Sequence, residues 1–116
     1  MILDLYRHPL NKEKLAKFDV QHKEHNPLCG DTVEVYIEFA KNGTVKNISW
    51  DGEGCAISQA STSLVTDFVK NKSKTAILKI GQKEVLEMLG LKNLNPARLR
   101  CAMLGLESIR KCLKNI

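Results

Sequence analysis

A chain of 116 residues with a formal net charge of +5 and six aromatic side chains has room for one domain with its own core, and it needs no disulfides to fold. It carries no apolar run of about 18 residues, which argues against a membrane-spanning helix. Its start, Met1 to Arg7, lacks a basic segment followed by an apolar one, so no secretory signal is expected.

Four cysteines without an export signal lead us to expect reduced thiols in the cytoplasm. The basic runs Lys70–Lys74 and Arg110–Lys114 suit helix ends, where cations complement the dipole. A face that docks an acidic partner is the second reading of those runs. No aromatic side chain is interleaved with them to build a stacking platform, so nucleic acid is not expected as a partner.

In chain order, the first 18 residues predict a short helical arm broken at His8-Pro9, where proline removes a donor and restricts its predecessor. Lys12 to Phe18 reads as a turn of helix or a loop, and Asp19 to Asn26 as a polar, edge-like strand. Thr32 to Ala40 alternates, with Val33, Val35, Ile37 and Phe39 on one face. Asn42-Gly43 accepts positive φ cheaply and predicts a tight turn into a strand carrying Val45, Ile48 and Trp50.

Ala56 to Lys70 predicts a helix with Ile57, Ala60, Leu64, Val65 and Phe68 on its core stripe. Its small residues, Ser58, Ala60, Ser61, Thr62 and Ser63, would let another element approach closely. Lys74 to Ile80 is ambiguous. Gln82 to Leu89 reads as a helix stopped by Gly90, and Pro96 opens a last helix. In that helix Leu99, Ala102, Leu106, Ile109, Leu113 and Ile116 form a stripe that would pack on the sheet or on the Ala56 helix. The fold class is α+β: a short antiparallel meander covered by helices.

Chemistry concentrates at three cysteines. Cys29 lies in Asn26-Pro27-Leu28-Cys29-Gly30-Asp31, where a glycine lets the chain turn and Asp31 follows closely. Cys55 lies between a Gly-Glu-Gly segment and a helix start, where orphan N–H groups favour an anion. Cys101 lies early in the last helix beside Arg98 and Arg100, whose guanidinium groups favour a thiolate.

Three sulfurs and one oxygen suffice for one metal centre, and three thiols can also accept sulfur. The absence of a C-x-x-C knuckle excludes a zinc ribbon or a ferredoxin. A site assembled from a loop and two helix starts is expected to be open to solvent. The plainer alternative for any one of these cysteines is a small buried hydrophobe.

Cys112 is different. It lies about 16 Å along the helix axis from Cys101 and reads as a packing residue. His22 and His25 read as solvated, with His25 an accessory candidate, and His8 as structural. Trp50 reads as core, and Asp51 and Glu53 as solvated loop charges.

At these motifs the chain resembles the U-type iron–sulfur cluster assembly proteins, the group of IscU, SufU and the N-terminal domain of NifU. The resemblance spans residues 1–116, from Leu5-Tyr6-Arg7-His8-Pro9 to Arg98-Leu99-Arg100-Cys101. It implies one scaffold domain with a three-stranded antiparallel sheet and helices on one side. It also implies that Cys29, Asp31, Cys55 and Cys101 ligate a transient [2Fe–2S] cluster or zinc.

The implied partners are a cysteine desulfurase and cluster acceptor or carrier proteins. The implied role is that of a scaffold or sulfur acceptor rather than an enzyme, with sulfurtransferase-like exchange the nearest thing to catalysis. The implied first sulfur acceptor is Cys101 in IscU-like members and Cys29 in SufU-like ones. Arg100 stands where IscU-type members have histidine, as in the SufU type, yet the insertion usual in SufU is missing. Three readings follow: a cluster scaffold, a zinc-dependent sulfur carrier, and a structural or regulatory zinc module.

Overall fold

The structure, a computed structural model, describes residues 2–27 and 30–114. The elements run α1 (Ile2–Arg7), β1 (Val20–Asn26), β2 (Asp31–Phe39), β3 (Val45–Glu53), α2 (Ala56–Phe68), α3 (Lys74–Leu78), α4 (Gln82–Leu89) and α5 (Pro96–Lys114). The three strands form one antiparallel sheet in the order β1-β2-β3. The expected α+β class, three-stranded sheet and Asn42-Gly43 turn are all present. Gly43 takes φ 87°, and Asn42 Oδ1 accepts from the Thr44 backbone N–H at 3.1 Å.

Alternation decides the sheet's inner face. Val33, Val35 and Ile37 stand opposite Gly52, Trp50 and Ile48, and all five apolar side chains are buried. Helix α5 lies on β1 and β2 and also along α2, so both alternatives for its stripe hold at once. Ala102, Leu106, Ile109 and Leu113 fill that interface, while Ile116 lies outside the described residues.

Helix α2 departs from its expected stripe. Phe68 is 45% exposed, with Lys72 Nζ 4.8 Å from its ring centre, and Leu64 and Ile57 are half-buried. The small polar residues are buried instead, because α2 is covered on two sides. On one side Ser61 donates to the Ala102 carbonyl of α5. On the other, Leu10 N–H donates to Ser63 at 3.2 Å and Asn11 donates to Thr66 at 3.2 Å. Thr62 and Thr66 return their hydroxyl protons to their own helix, to Ser58 and Thr62 carbonyls, both at 2.7 Å.

Other boundaries move. Strand β3 continues to Glu53, so Asp51 and Glu53 are strand residues rather than loop charges. A register shift between Glu38 and Phe39 turns Phe39 partly out of the core. The ambiguous stretch after Lys74 is helix α3, capped by Ser73, whose hydroxyl accepts from Ala76 N–H at 3.2 Å. The run Lys70–Lys74 follows α2 and ends on the first residue of α3, not within a last helical turn. Lys70 pairs with Asp67 at 3.4 Å and donates to Asn11 Oδ1 at 2.6 Å.

The arm breaks at His8-Pro9 as expected, and the chain then lies along the free edge of β3. Trp50 N–H donates to the Asn11 carbonyl at 3.0 Å, and Trp50 Nε1 to the Leu10 carbonyl at 2.8 Å. Further on, Phe18 crosses to the outer face of the sheet and packs on Tyr36, ring centres 5.2 Å apart.

Strand β1 meets α5 through polar groups. Ser108 donates to the His22 carbonyl at 2.9 Å, and Lys111 pairs with Glu24. Burial alone would raise the Glu24 carboxyl, but the Lys111 ammonium and His22 beside it bring it below the usual range.

Helices α2 and α5 approach closely at Thr62 and Gly105. A Cβ on Gly105 would lie 2.5 Å from Thr62 Oγ1 and 3.0 Å from Thr62 Cα. Gly105→Val should therefore force α2 and α5 apart and lower the unfolding free energy by about 2 kcal/mol. Urea unfolding measures this, and an unchanged midpoint would contradict so close an approach.

Candidate metal centre

The end of the sheet where β2 begins and β3 ends is carved out by glycine. Along β3 the inward positions run Trp50, Gly52, and then Gly54 just beyond the strand. A Cβ on Gly52 would fall 2.1 Å from the Thr32 carbonyl oxygen. One on Gly54 would fall 2.7 Å from Asp31 Cγ and 2.5 Å from Ser58 Oγ. The Asp31 carboxylate therefore occupies room that a side chain at position 54 would take.

Asp31 opens β2 on the inward face, in register with Asn26, and Gly30 before it takes φ 71°. Cys55 is the N-cap of α2, with extended backbone at φ −72° and ψ 168°. Its carbonyl takes the first helical bond, from Gln59 N–H at 3.1 Å. Cys101 sits early in α5, on the side turned to α2 and β1.

These elements bring Asp31, Cys55 and Cys101 together: one carboxylate oxygen and two sulfurs all lie within 4.8 Å of one another. Asp31 is 3% exposed and Cys101 5%, while Cys55 is half-buried. The site is thus more enclosed than the sequence led us to expect. A cleft of about 410 Å³ borders it at Tyr6, Glu53, Gly54 and Gln59. Another of about 300 Å³ borders it at His25, Asn26, Pro27 and Arg100.

Cys29, the fourth expected ligand, lies outside the described residues. Cys112 is fully buried and donates its thiol to the Val35 carbonyl at 3.7 Å, as a packing residue should. His25 and Arg100 are exposed on the rim of the second cleft. His22 is half-buried, with its Nε2 3.8 Å from Glu24, away from the sulfurs. Asn26 was legible only as part of the first motif. In the structure its amide reaches Cys101 Sγ at 3.9 Å.

The donors fit a metal. Asp31 Oδ2 is buried and has no hydrogen-bond partner among the described residues. A buried carboxylate oxygen without a partner is costly, and a cation would offset that cost. Two soft sulfurs beside one harder oxygen suit iron or zinc.

This is an α+β domain with an Asp–Cys–Cys cluster that could hold a metal ion at one end of its sheet, built where two helices and a hairpin meet. The family model described as NifU-like N terminal domain matches residues 1–116, and the chain belongs to that family. It is 30% identical over 112 residues to the iron–sulfur cluster assembly scaffold protein IscU 1 of Archaeoglobus fulgidus, a match covering 97% of this chain and 71% of the relative. It is 29% identical over 115 residues to the scaffold protein IscU of Haemophilus influenzae, covering 97% and 89%.

Two crystal structures share the fold. One is a Fervidobacterium islandicum protein described as an iron–sulfur cluster assembly scaffold for the SUF system, with TM-score 0.82 and 24% identity, covering 97% of this chain and 93% of that one. The other is the N-terminal part of a NifU-like protein from Brucella abortus, with TM-score 0.82 and 22% identity, covering 99% and 90%. The family resemblance drawn from the motifs is borne out.

Burial pushes the Cys112 thiol up to about 12. The folded chain then keeps a proton that the unfolded chain releases near pH 8.5, roughly the ordinary thiol value. This contribution to stability is full below that pH and falls as the pH climbs toward 12. Alkylation at pH 8 followed by peptide mass spectrometry should label Cys55 in the native protein, and Cys112 only after unfolding.

Asp31→Asn replaces a buried carboxylate whose Oδ2 has no hydrogen-bond partner among the described residues, while keeping the side chain's shape. Without metal it should unfold at higher urea than the parent, a gain of about 1 kcal/mol. A loss of stability would mean that the carboxylate is compensated in the metal-free protein.

Proposed function

We propose that this chain is an iron–sulfur cluster assembly scaffold. It accepts sulfur from a cysteine desulfurase, assembles a cluster with iron as its cargo, and passes that cargo to acceptor or carrier proteins. The observation that carries this reading is the convergence of Asp31, Cys55 and Cys101 at the end of the sheet. Family membership and the names of the scaffold relatives support it.

This reading takes Cys29, two residues before Asp31 in the sequence, as the fourth ligand. The chain's own part is to present three thiolates and one carboxylate. The carboxylate is the harder and weaker ligand for iron, which suits a cargo that must leave. The two clefts that border the site have no lining residue in common, so a donor and an acceptor could approach separately.

One observation favours zinc-dependent sulfur carriage as the second reading. Donors on one tetrahedral ion stand about 3.7 Å apart, and the three here lie within 4.8 Å of one another. Ligands on opposite irons of a two-iron cluster are farther apart, because a second metal lies between them. Arg100 fits this reading too, since an arginine in that position cannot ligate.

Protein purified without oxygen, then assayed for metal content and visible spectrum with and without a desulfurase, separates the readings. Colour that depends on added iron and desulfurase is the expected result. Colourless, zinc-loaded protein that stimulates the desulfurase would establish the carrier. Zinc without stimulation would leave a structural module and sink both.

Cys29→Ser, Cys55→Ser and Cys101→Ser should each reduce bound metal by tenfold or more (roughly), because hydroxyls are poor donors for these ions. Cys112→Ser should stay near the parent. Metal lost in Cys112→Ser but kept in Cys101→Ser would refute the ligand set.

A further inference from the structure

Asn26 ends β1 at the metal centre. It stands opposite Asp31 in the strand register and is only 5% exposed. Its side-chain Nδ2 donates to Cys101 Sγ at 3.9 Å, within the longer reach of hydrogen bonds to sulfur.

Cys55 is placed differently. The Ser58 hydroxyl is 3.8 Å from its sulfur, but that hydroxyl gives its proton to the Cys55 carbonyl at 3.0 Å. The two sulfurs are therefore unequal: one faces a fixed amide donor, the other a hydroxyl whose proton is already committed. A carboxamide cannot rotate its protons away as a hydroxyl can, nor does it ionise.

Asn26 is not needed to hold α5 against β1. Ser108 on the His22 carbonyl and Lys111 on Glu24 already do so farther along the same strand.

We propose that Asn26 is a positioning residue for Cys101. Its amide fixes the direction of that sulfur toward Asp31 and Cys55, and it draws electron density from the sulfur once that is a metal-bound thiolate. Partners of this kind orient ligating atoms and tune the metal, and hydrogen bonds to ligating sulfurs help set the potential of a cluster. Cys101 becomes the less electron-rich of the two sulfurs. The inference rests on the metal-centre reading above.

Cobalt(II), added without oxygen to the full chain, is the probe, because thiolate-to-cobalt charge transfer reports the energy of the sulfur orbitals. Asn26→Ala removes the donor, and Asn26→Leu removes it while keeping the volume; circular dichroism and urea unfolding identify the folded variants. The expected result is a charge-transfer band moved to longer wavelength. Alongside it, cobalt affinity, measured by competition with a chromophoric chelator, should weaken by about 10–100-fold.

A band and affinity equal to the parent's in either folded variant would overturn the role of Asn26 and leave the metal centre standing. Weaker affinity with an unmoved band would mark packing alone and would overturn it too. No thiolate charge-transfer band in the parent protein would overturn the metal centre and this inference together.

Discussion

The close approach of α2 and α5 is the constraint on which the rest depends. Gly105 lies against Thr62 with no room for a Cβ, and Ser61 donates to the Ala102 carbonyl across the same contact. Two helices that meet on glycine and small hydroxyl residues bring their backbones nearer than a leucine interface would allow. Cys55 caps the start of one and Cys101 sits early in the other, so the distance between sulfurs is set by that contact. The polar side chains in the interface do not strand their hydrogen bonds. Ser61 gives its proton to α5 and Thr62 to its own helix, to the Ala102 and Ser58 carbonyls.

The sheet supplies the oxygen, and it does so by omission. Gly52 and Gly54 leave the inner face of β3 bare where Trp50 has just filled it, and the Asp31 carboxylate lies in the space. Hydrophobic packing and ligand placement thus share one face of one sheet, divided along its length. The edge strand β1 follows the same division. Val20 belongs to the apolar end, while His22, Glu24 and Asn26 are polar toward α5 and the Asp31–Cys55–Cys101 cluster. A polar inner row would be a defect in a core. Here Glu24 pairs with Lys111 and the Asn26 amide reaches Cys101 Sγ, while the main-chain carbonyl of His22 accepts from Ser108.

Where expectation and structure part, the cause is contact between segments distant in sequence. Phe68 falls on a helical stripe with Val65, yet α2 ends there and the ring is left to Lys72. Asp51 and Glu53 look like loop charges beside glycines, but pairing with Glu34 and Thr32 keeps them in the strand. Cys101 has charged neighbours along the chain and still is buried, because α5 turns it inward while Arg98 and Arg100 point out. Asn26 drew no notice beyond its motif, because a hydrogen bond spanning 75 residues of sequence leaves no local mark.

By itself the sequence determined what consecutive residues can decide. Alternation over Val33, Val35 and Ile37 made a strand, Asn42-Gly43 made a turn, Pro96 opened a helix, and three cysteine motifs marked the family. Each of these is a property of local backbone sterics or of side-chain spacing along a single element. Tertiary structure alone decided which faces were buried, how close α2 and α5 stand, and that one oxygen and two sulfurs meet within 4.8 Å. Those depend on where separate elements pack. Side chains far apart along the chain become neighbours only when glycines, caps and strand register agree on one arrangement.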